Sequence, residues 1–399
     1  MNSTDKLFLL DAYALIYRSY YAFIKNPRIN SKGFNTSAIL GFVNTLEEVL
    51  KKENPTHIGV AFDPSGPTFR HEAYEQYKAQ REETPEAIRL SVPIIKDIIR
   101  AYRIPILEVS GYEADDVIGT LATEAGRQGI ITYMMTPDKD YGQLVSDNVF
   151  MYRPKHSGGF EVMGIEEIKN KFNIRSTEQV IDMLGLMGDS SDNIPGCPGV
   201  GEKTAQKLVA EFGSIENLLA HTDQLKGALK TKVEANREMI TFSKFLATIK
   251  VDVPIKLDMT TLVREEPDEE KLRKIFEELE FRTLIDRVLK KSGAPLSSSS
   301  NSVSPDLYAG TLFARPVDSP TPENNGPVQG DLFANFADNG TGNAENSNLT
   351  HLEMLDVDYQ LIDTEEKRSE IIQKLLTTEI LSIDTETTGT EPMDAELVG

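Results

Sequence analysis

Residues 7–11 read LFLLD, four apolar residues that stop on a carboxylate. The same pattern returns at 57–63, HIGVAFD, and at 131–140, ITYMMTPDKD. Short, continuously apolar runs of this kind suit strands buried on both faces. A further apolar run covers 104–109, and helix-like patterns lie between the runs at about 36–53, 86–102 and 114–127. That alternation predicts an α/β fold, a mostly parallel central sheet with flanking helices. In such a sheet the strands end on one common edge, so acids at those ends converge there. Asp11, Asp63, Asp138 and Asp140 are the first candidates.

Two more segments extend the set. GYEADD at 111–116 adds Glu113, Asp115 and Asp116; LMGDSSDN at 186–193 adds Asp189 and Asp192. Any one of these acids, taken alone, reads as a helix cap or turn residue. Together they are costly, because two like charges about 4 Å apart repel by roughly 4 kcal/mol at an effective dielectric near 20. Protonation or a cation relieves that repulsion. Oxygen ligands without cysteine or histidine suit Mg²⁺ or Mn²⁺, and two such ions side by side suit phosphodiester hydrolysis. The five histidines are scattered without ligand or triad spacing.

The chain's 399 residues leave room for two or three domains. A single cysteine, Cys197, excludes a disulfide framework within the chain and fits a reducing cytoplasm. No apolar stretch approaches a membrane span, and the N-terminus lacks a basic region followed by an apolar one. The net charge of −21 argues against nucleic acid until it is divided. Residues 1–290 hold 37 basic and 44 acidic side chains, against 5 and 19 in residues 291–399. The net charge of the first region is thus only −7, against −14 for the second, which keeps room for basic patches in the first.

Residues 64–85, PSGPTFRHEAYEQYKAQREETP, break the alternation and read as an excursion over the sheet edge. Tyr74, Tyr77, Lys78 and Arg81 repeat at helical spacing and are expected on one face, with Arg70 nearby. Cations there can offset phosphate charge and a tyrosine can stack an unpaired base; a solvated charged helix is the plainer reading. Arg18, in the helix after Asp11, suits a phosphate contact or a structural salt bridge equally. From about 165 the chain reads as helical. GCPGVGEKTAQKLVAEFG at 196–213 places Gly196, Gly199, Val200 and Gly201 before a helix, with Lys203 and Thr204 in its first turn. Glycines admit positive φ, and a helix N-terminus favours phosphate. The P-loop spacing is absent. Residues 291–350, rich in Ser, Asn, Pro, Gly and Thr, read as a disordered linker. Residues 351–399 read as strand, helix, strand, the beginning of a further domain, with Asp384 and Glu386 alternating along LSIDTETTG.

Taken together, LLDAYALIYRSYYAF, AFDPSGPTFRHEAYEQYKAQR, VSGYEADDVIGTLA, TPDKDYGQLV and LMGDSSDNIPGCPGVGEKTAQKLV resemble the flap endonuclease family, in the form of the 5′-nuclease domain that begins bacterial DNA polymerases I. The resemblance covers roughly residues 5–290 and includes all nine acids in order. It implies a PIN-like nuclease core at 1–165 with a helical arch at about 64–90. It also implies a DNA-binding subdomain at 166–290 with a helix-hairpin-helix at 194–213. LSIDTETTG resembles the first motif of proofreading 3′–5′ exonucleases, which makes 351–399 a truncated start of such a domain.

The implied chemistry is hydrolysis that leaves a 5′-phosphate and a 3′-hydroxyl, with two or more Mg²⁺ or Mn²⁺ ions. Asp11, Asp63, Asp115 and Asp116, with Glu113 nearby, match the first ion's acids, and Asp138, Asp140, Asp189 and Asp192 match the second's. Lys78, Arg81 and Arg18 match positions that contact the reacting phosphate, and Tyr77 one that stacks a base. A K⁺ ion is implied at the helix-hairpin-helix. The implied partners are DNA with 5′ flaps, nicks or RNA primers and a polymerase module in the longer chain, with a monomer in the bacterial cytoplasm at the nucleoid. The family usually carries glycine where Pro137 precedes the Asp-Lys-Asp triplet. A competing reading is a catalytically silent module that positions a polymerase on DNA, and another is a nuclease acting mainly on structured RNA.

Overall fold

A computed structural model describes residues 5–155, 158–289 and 364–375. The chain divides into two compact units, Met1–Asn335 and Phe336–Gly399. In the second unit the described structure is one helix, α14 (Glu365–Leu375). The strands expected on either side of it, Asp384 and Glu386, and the linker at 291–350 lie outside the described residues.

The first unit begins with β1 (Lys6–Asp11), α1 (Ala12–Ala22), α2 (Ser37–Lys52), β2 (His57–Ala61), α3 (Phe69–Ala73), α4 (Glu86–Ala101), β3 (Ile106–Leu107), α5 (Ala114–Arg127) and β4 (Ile131–Met135). An antiparallel pair follows, β5 (Val149–Pro154) and β6 (Phe160–Met163). The strands form one six-stranded sheet in the order β3-β2-β1-β4-β5-β6, parallel through β5. The expected parallel sheet is therefore present. The run at 104–109 yields only a two-residue edge strand, beside Pro105, which has no N–H to donate. The β5–β6 hairpin was not legible in the hydrophobic pattern.

β1 explains why the sheet needs helices on both faces. Leu7, Phe8, Leu9 and Leu10 are all fully buried, and alternate side chains enter opposite cores. Leu7 and Leu9 join Val117, Ile118 and Leu121 of α5. Phe8 and Leu10 join Ile16 of α1, Phe42 and Leu46 of α2, and Ile95 of α4. α1 and α2 meet closely at Gly41, where a Cβ would lie 2.5 Å from that of Ser19.

The remainder is helical: α6 (Ile165–Phe172), α7 (Gln179–Met187), α8 (Glu202–Phe212), α9 (Ile215–Ala220), α10 (Gly227–Ala235), α11 (Arg237–Ala247), α12 (Glu269–Glu278) and α13 (Arg282–Leu289). Met183 and Leu184 of α7 and Leu246 of α11 share the core of α5. The helices after 165 thus close over one face of the sheet. α12 returns to the other, placing Phe276 in the core of α2 and α4.

The excursion departs from expectation. α3 ends at Ala73, and residues 75–80 form turns, so there is no helix carrying Tyr74, Tyr77, Lys78 and Arg81 on one face. Lys78 takes a left-handed backbone, φ +57°, which breaks helical continuity. The segment is held instead by the acid loop. Lys78 N–H donates to the Asp192 carbonyl at 3.0 Å, Asn193 Nδ2 to Gln76 O at 2.7 Å, and Arg81 Nε to Ser191 O at 3.1 Å.

Candidate active site

Parallel pairing sets the acids' positions. Asp11 ends β1 opposite Ala61 of β2, Asp63 lies just past β2, and Asp138 and Asp140 follow β4 on the other side of β1. The cap reading holds for Asp11 and leaves its second oxygen turned to other partners. Asp11 Oδ1 accepts from Ala14 N–H at 3.1 Å at the start of α1 while Oδ2 accepts from Thr136 Oγ1 and Tyr141 OH, each at 3.2 Å. Asp63 Oδ1 accepts from Ala114 N–H at 2.7 Å, tying β2 to the N-terminus of α5.

The 188–196 loop brings Asp189 and Asp192 in from the helical region. Its neck needs glycine: Gly188 and Gly196 both have positive φ, and a Cβ on either would lie 2.4 Å or less from the other strand's backbone. Asp189 and Ile194 bridge the loop.

Burial and mutual repulsion dominate the electrostatics. Burial first, then Asp63, pushes Asp11 up to about 7. Burial likewise raises Asp63 and Asp138, and raises Asp115 and Asp140 well above the ordinary carboxylate value. Asp192 and Glu113 go the other way. Burial opposes their ionisation, yet Lys78 and Arg81 hold Asp192 down at about 2, and Lys78 and Arg70 hold Glu113 below its usual value.

The chain itself supplies the cations. Lys78 Nζ lies 2.7 Å from Glu113 Oε1 and 3.7 Å from Asp192 Oδ2; Arg81 Nη2 lies 2.5 Å from Asp192 Oδ1. Lys139 Nζ lies 2.5 Å from Asp189 Oδ2 and 3.3 Å from Asp140 Oδ1. Among the described residues no three acids are arranged as they stand into a group able to hold a metal ion, and the cations above occupy several of their oxygens. The donor set still fits an ion: it is all oxygen, several members are held against ionisation, and Asp140 Oδ1 is buried with no hydrogen-bond partner.

Five expectations are corrected. Asp116 does not face the cleft. It is fully buried, and its two oxygens accept from Arg70 twice, Glu113 N–H and Lys250 N–H, so its acceptor positions are filled. Arg70 is 1% exposed and cannot touch DNA; it binds Asp116, Glu113 and the carbonyls of Leu246 and Thr248. Tyr77 is buried, its ring edge-on to His71 and its hydroxyl donating to Glu113 and Asp192, so it offers no face to a base. Gly196 is buried and its N–H donates to Ser243 Oγ. Val200 is buried and its N–H donates to the Cys197 carbonyl. The last two build the turn without reaching its surface.

Gly199, Gly201 and Lys203 are exposed and Thr204 is half-buried, at the start of α8. Gly199 has φ +77°, and a Cβ there would strike the ammonium of Lys232 at 2.3 Å. Arg18 donates to the Lys155 carbonyl at 2.9 Å; burial and the neighbouring Arg153 lower its pKa, as expected for a cation held beside another cation. Sequence reading missed Lys139 and Lys232. Lys139 carried a visible signal, its place between two of the chosen acids; Lys232 is 33 residues from Gly199 and carried none.

Two family models match end to end: the 5′-3′ exonuclease N-terminal resolvase-like domain over residues 6–173 and the 5′-3′ exonuclease C-terminal SAM fold over residues 175–270. The chain belongs to the 5′-3′ exonuclease family. It is thus a member of a nuclease family, and the silent-module reading gains no support. DNA polymerase I of Bacillus subtilis is 42% identical over 291 residues, covering 72% of this chain and 33% of the relative. DNA polymerase I of Treponema pallidum is 33% identical over 420 residues, covering all of this chain and 41% of the relative. The exonuclease chain therefore spans between a third and two fifths of the length of these relatives. T5 5′-exonuclease, solved with zinc bound, matches with a TM-score of 0.52 at 22% identity, over 69% of this chain and 98% of that one. At that identity the likeness establishes the fold.

Proposed function

We propose that this exonuclease hydrolyses phosphodiesters at 5′ ends and 5′ flaps of DNA, with divalent ions held by the acid cleft. One observation carries the reading: acids from five separate segments lie within electrostatic reach of one another at the C-terminal edge of a parallel sheet, and Lys78 and Arg81 reach into the same cleft. Asp11, Asp63, Asp115 and Glu113 form the first ligand set; Asp138, Asp140, Asp189 and Asp192 the second. Mg²⁺ is the preferred ion, with Mn²⁺ as substitute, because the donors are all carboxylate oxygens. Ions bound there supply an activated water and charge neutralisation at phosphorus. Lys78 and Arg81 turn from carboxylates to the phosphate's oxygens, and Arg18 approaches from the α1 side. Asp116 and Arg70 brace the site from beneath. T5 5′-exonuclease has been solved with zinc, which supports metal dependence in this fold.

Residues 1–165 carry the chemistry in this reading. Residues 166–290 grip duplex DNA through Gly199, Gly201, Lys203 and Thr204, with Lys232 beneath the turn and K⁺ as an additional ligand of that turn. In the longer protein a polymerase module follows, and the nuclease removes RNA primers and displaced strands at nicks during replication and repair in the bacterial cytoplasm.

The test uses a 5′-labelled flap substrate beside a 3′-labelled one, with Mg²⁺ and with EDTA. Mg²⁺-dependent release of the 5′ flap at the junction supports the reading. Intact flaps despite tight, salt-sensitive binding overturn it, and trimming from the 3′ end would mean that this reading assigns the activity to the wrong domain.

A further inference from the structure

We infer that Lys139 is an internal counter-cation, which holds the place of a divalent ion between Asp140 and Asp189 and is displaced when that ion binds. The inference rests on the metal reading above. Lys139 begins the 3-10 turn Lys139–Leu144, between the two acids of the Asp-Lys-Asp triplet. Its ammonium reaches Asp189 Oδ2 at 2.5 Å and Asp140 Oδ1 at 3.3 Å, joining the β4 turn to the 188–196 loop.

This neutralisation is incomplete. Asp140 Oδ1 is buried, within ionic reach of Lys139, and makes no hydrogen bond. An ammonium is a compact point charge with three donors, whereas Mg²⁺ gathers several oxygens at about 2.0–2.1 Å. An ion seated between Asp140 and Asp189 therefore satisfies the orphaned oxygen that Lys139 leaves.

The other cations of the cleft differ in one respect. Lys78 and Arg81 belong to the excursion at 64–85, remote in sequence from the acids Glu113 and Asp192 that they bind. Lys139 sits on the same turn as Asp138 and Asp140 and has to rotate out on its own side chain. An 18% exposed side chain gives it a route to solvent. Ion binding at the second acid group is then an exchange of one cation for another. Two consequences follow: the group stays neutralised and folded without an ion, and its affinity for an ion is weaker than that of the same carboxylates alone.

The experiment titrates Mn²⁺ calorimetrically into the whole chain without DNA and follows thermal unfolding in EDTA and in excess Mn²⁺. Wild type is compared with Lys139→Met and Lys139→Arg. Lys139→Met is expected to tighten one class of ion by roughly tenfold or more, since a charge pair at this range is worth that much even when well screened. It should melt lower than wild type in EDTA and gain more on adding Mn²⁺. Lys139→Arg keeps the charge and should bind no tighter than wild type. Equal affinity in wild type and Lys139→Met, or an equal gain in melting temperature, overturns the inference while the metal reading stands. No ion bound by any of the three overturns both. Should Lys139→Met lack a cooperative melt, Lys139→Gln takes its place with the same two criteria.

Discussion

Asp116 and Arg70 meet through two parallel hydrogen bonds of 2.8 Å, and neither side chain has appreciable contact with solvent. Arg70 comes from α3, Asp116 from α5, and the same guanidinium caps the carbonyls of Leu246 and Thr248 at the end of α11. The pair therefore joins the nuclease core to the helical region that follows it.

Asp116→Ala should lower unfolding free energy by about 3–5 kcal/mol, the usual cost of leaving a buried charge without its partner. Denaturant titration in EDTA measures this without reference to ions. An unchanged midpoint with lost cleavage would return Asp116 to the ligand set.

Asp11 sets a pH dependence of the opposite sign to the usual carboxylate. Its pKa is raised from 3.8 to about 7, so the folded chain holds a proton that the unfolded chain releases. Its contribution is most favourable below about 4 and is lost as pH rises towards 7, because the folded state binds more protons across that window. In EDTA, Asp11→Asn should therefore be more stable than wild type at pH 8, by about 1–3 kcal/mol, with the two converging near pH 4. A difference that grows on acidification instead contradicts the assigned burial.

Lys78→Ala should slow cleavage more than it weakens binding. A charge that acts on the reacting phosphate is worth about 10²–10³-fold in rate when removed. Single-turnover rates at saturating DNA, set beside an equilibrium binding titration, separate the two effects. Equal turnover with weaker affinity would make Lys78 a docking contact.

The turn before α8 should show itself in salt dependence. DNA affinity should fall linearly with the logarithm of salt concentration, and Lys203→Ala should reduce the slope by about 1 while weakening all duplex sequences alike. Lys232→Ala tests the cation beneath Gly199 by the same measurement. Slopes identical to wild type in both variants would remove this turn from the DNA interface.

Much of the architecture was legible in the chain because it follows from local pattern. Leu7 to Leu10 form a strand buried on both faces, three further runs repeat the signal, and parallel strands end on one edge whatever the details of packing. That logic placed Asp11, Asp63, Asp138 and Asp140 correctly at the sheet edge. Periodicity misled at 74–81, where a helical spacing of tyrosine and cations gave turns instead. Lys78 adopts a left-handed backbone there, and the segment hydrogen-bonds to the acid loop more than a hundred residues away.

What the sequence determined by itself was the type of fold and the inventory of charges at its edge. What only the tertiary structure decided was the pairing of those charges. Asp115 and Asp116 are neighbours of the same type, yet one is half-buried at the cleft and the other is sealed against Arg70. Lys139 and Lys203 both lie in the first turn of a helical element, yet one neutralises two acids and the other is exposed. A charge's role depends on the partner and the dielectric around it. Both are set by elements that are distant in the chain and are brought together only by packing.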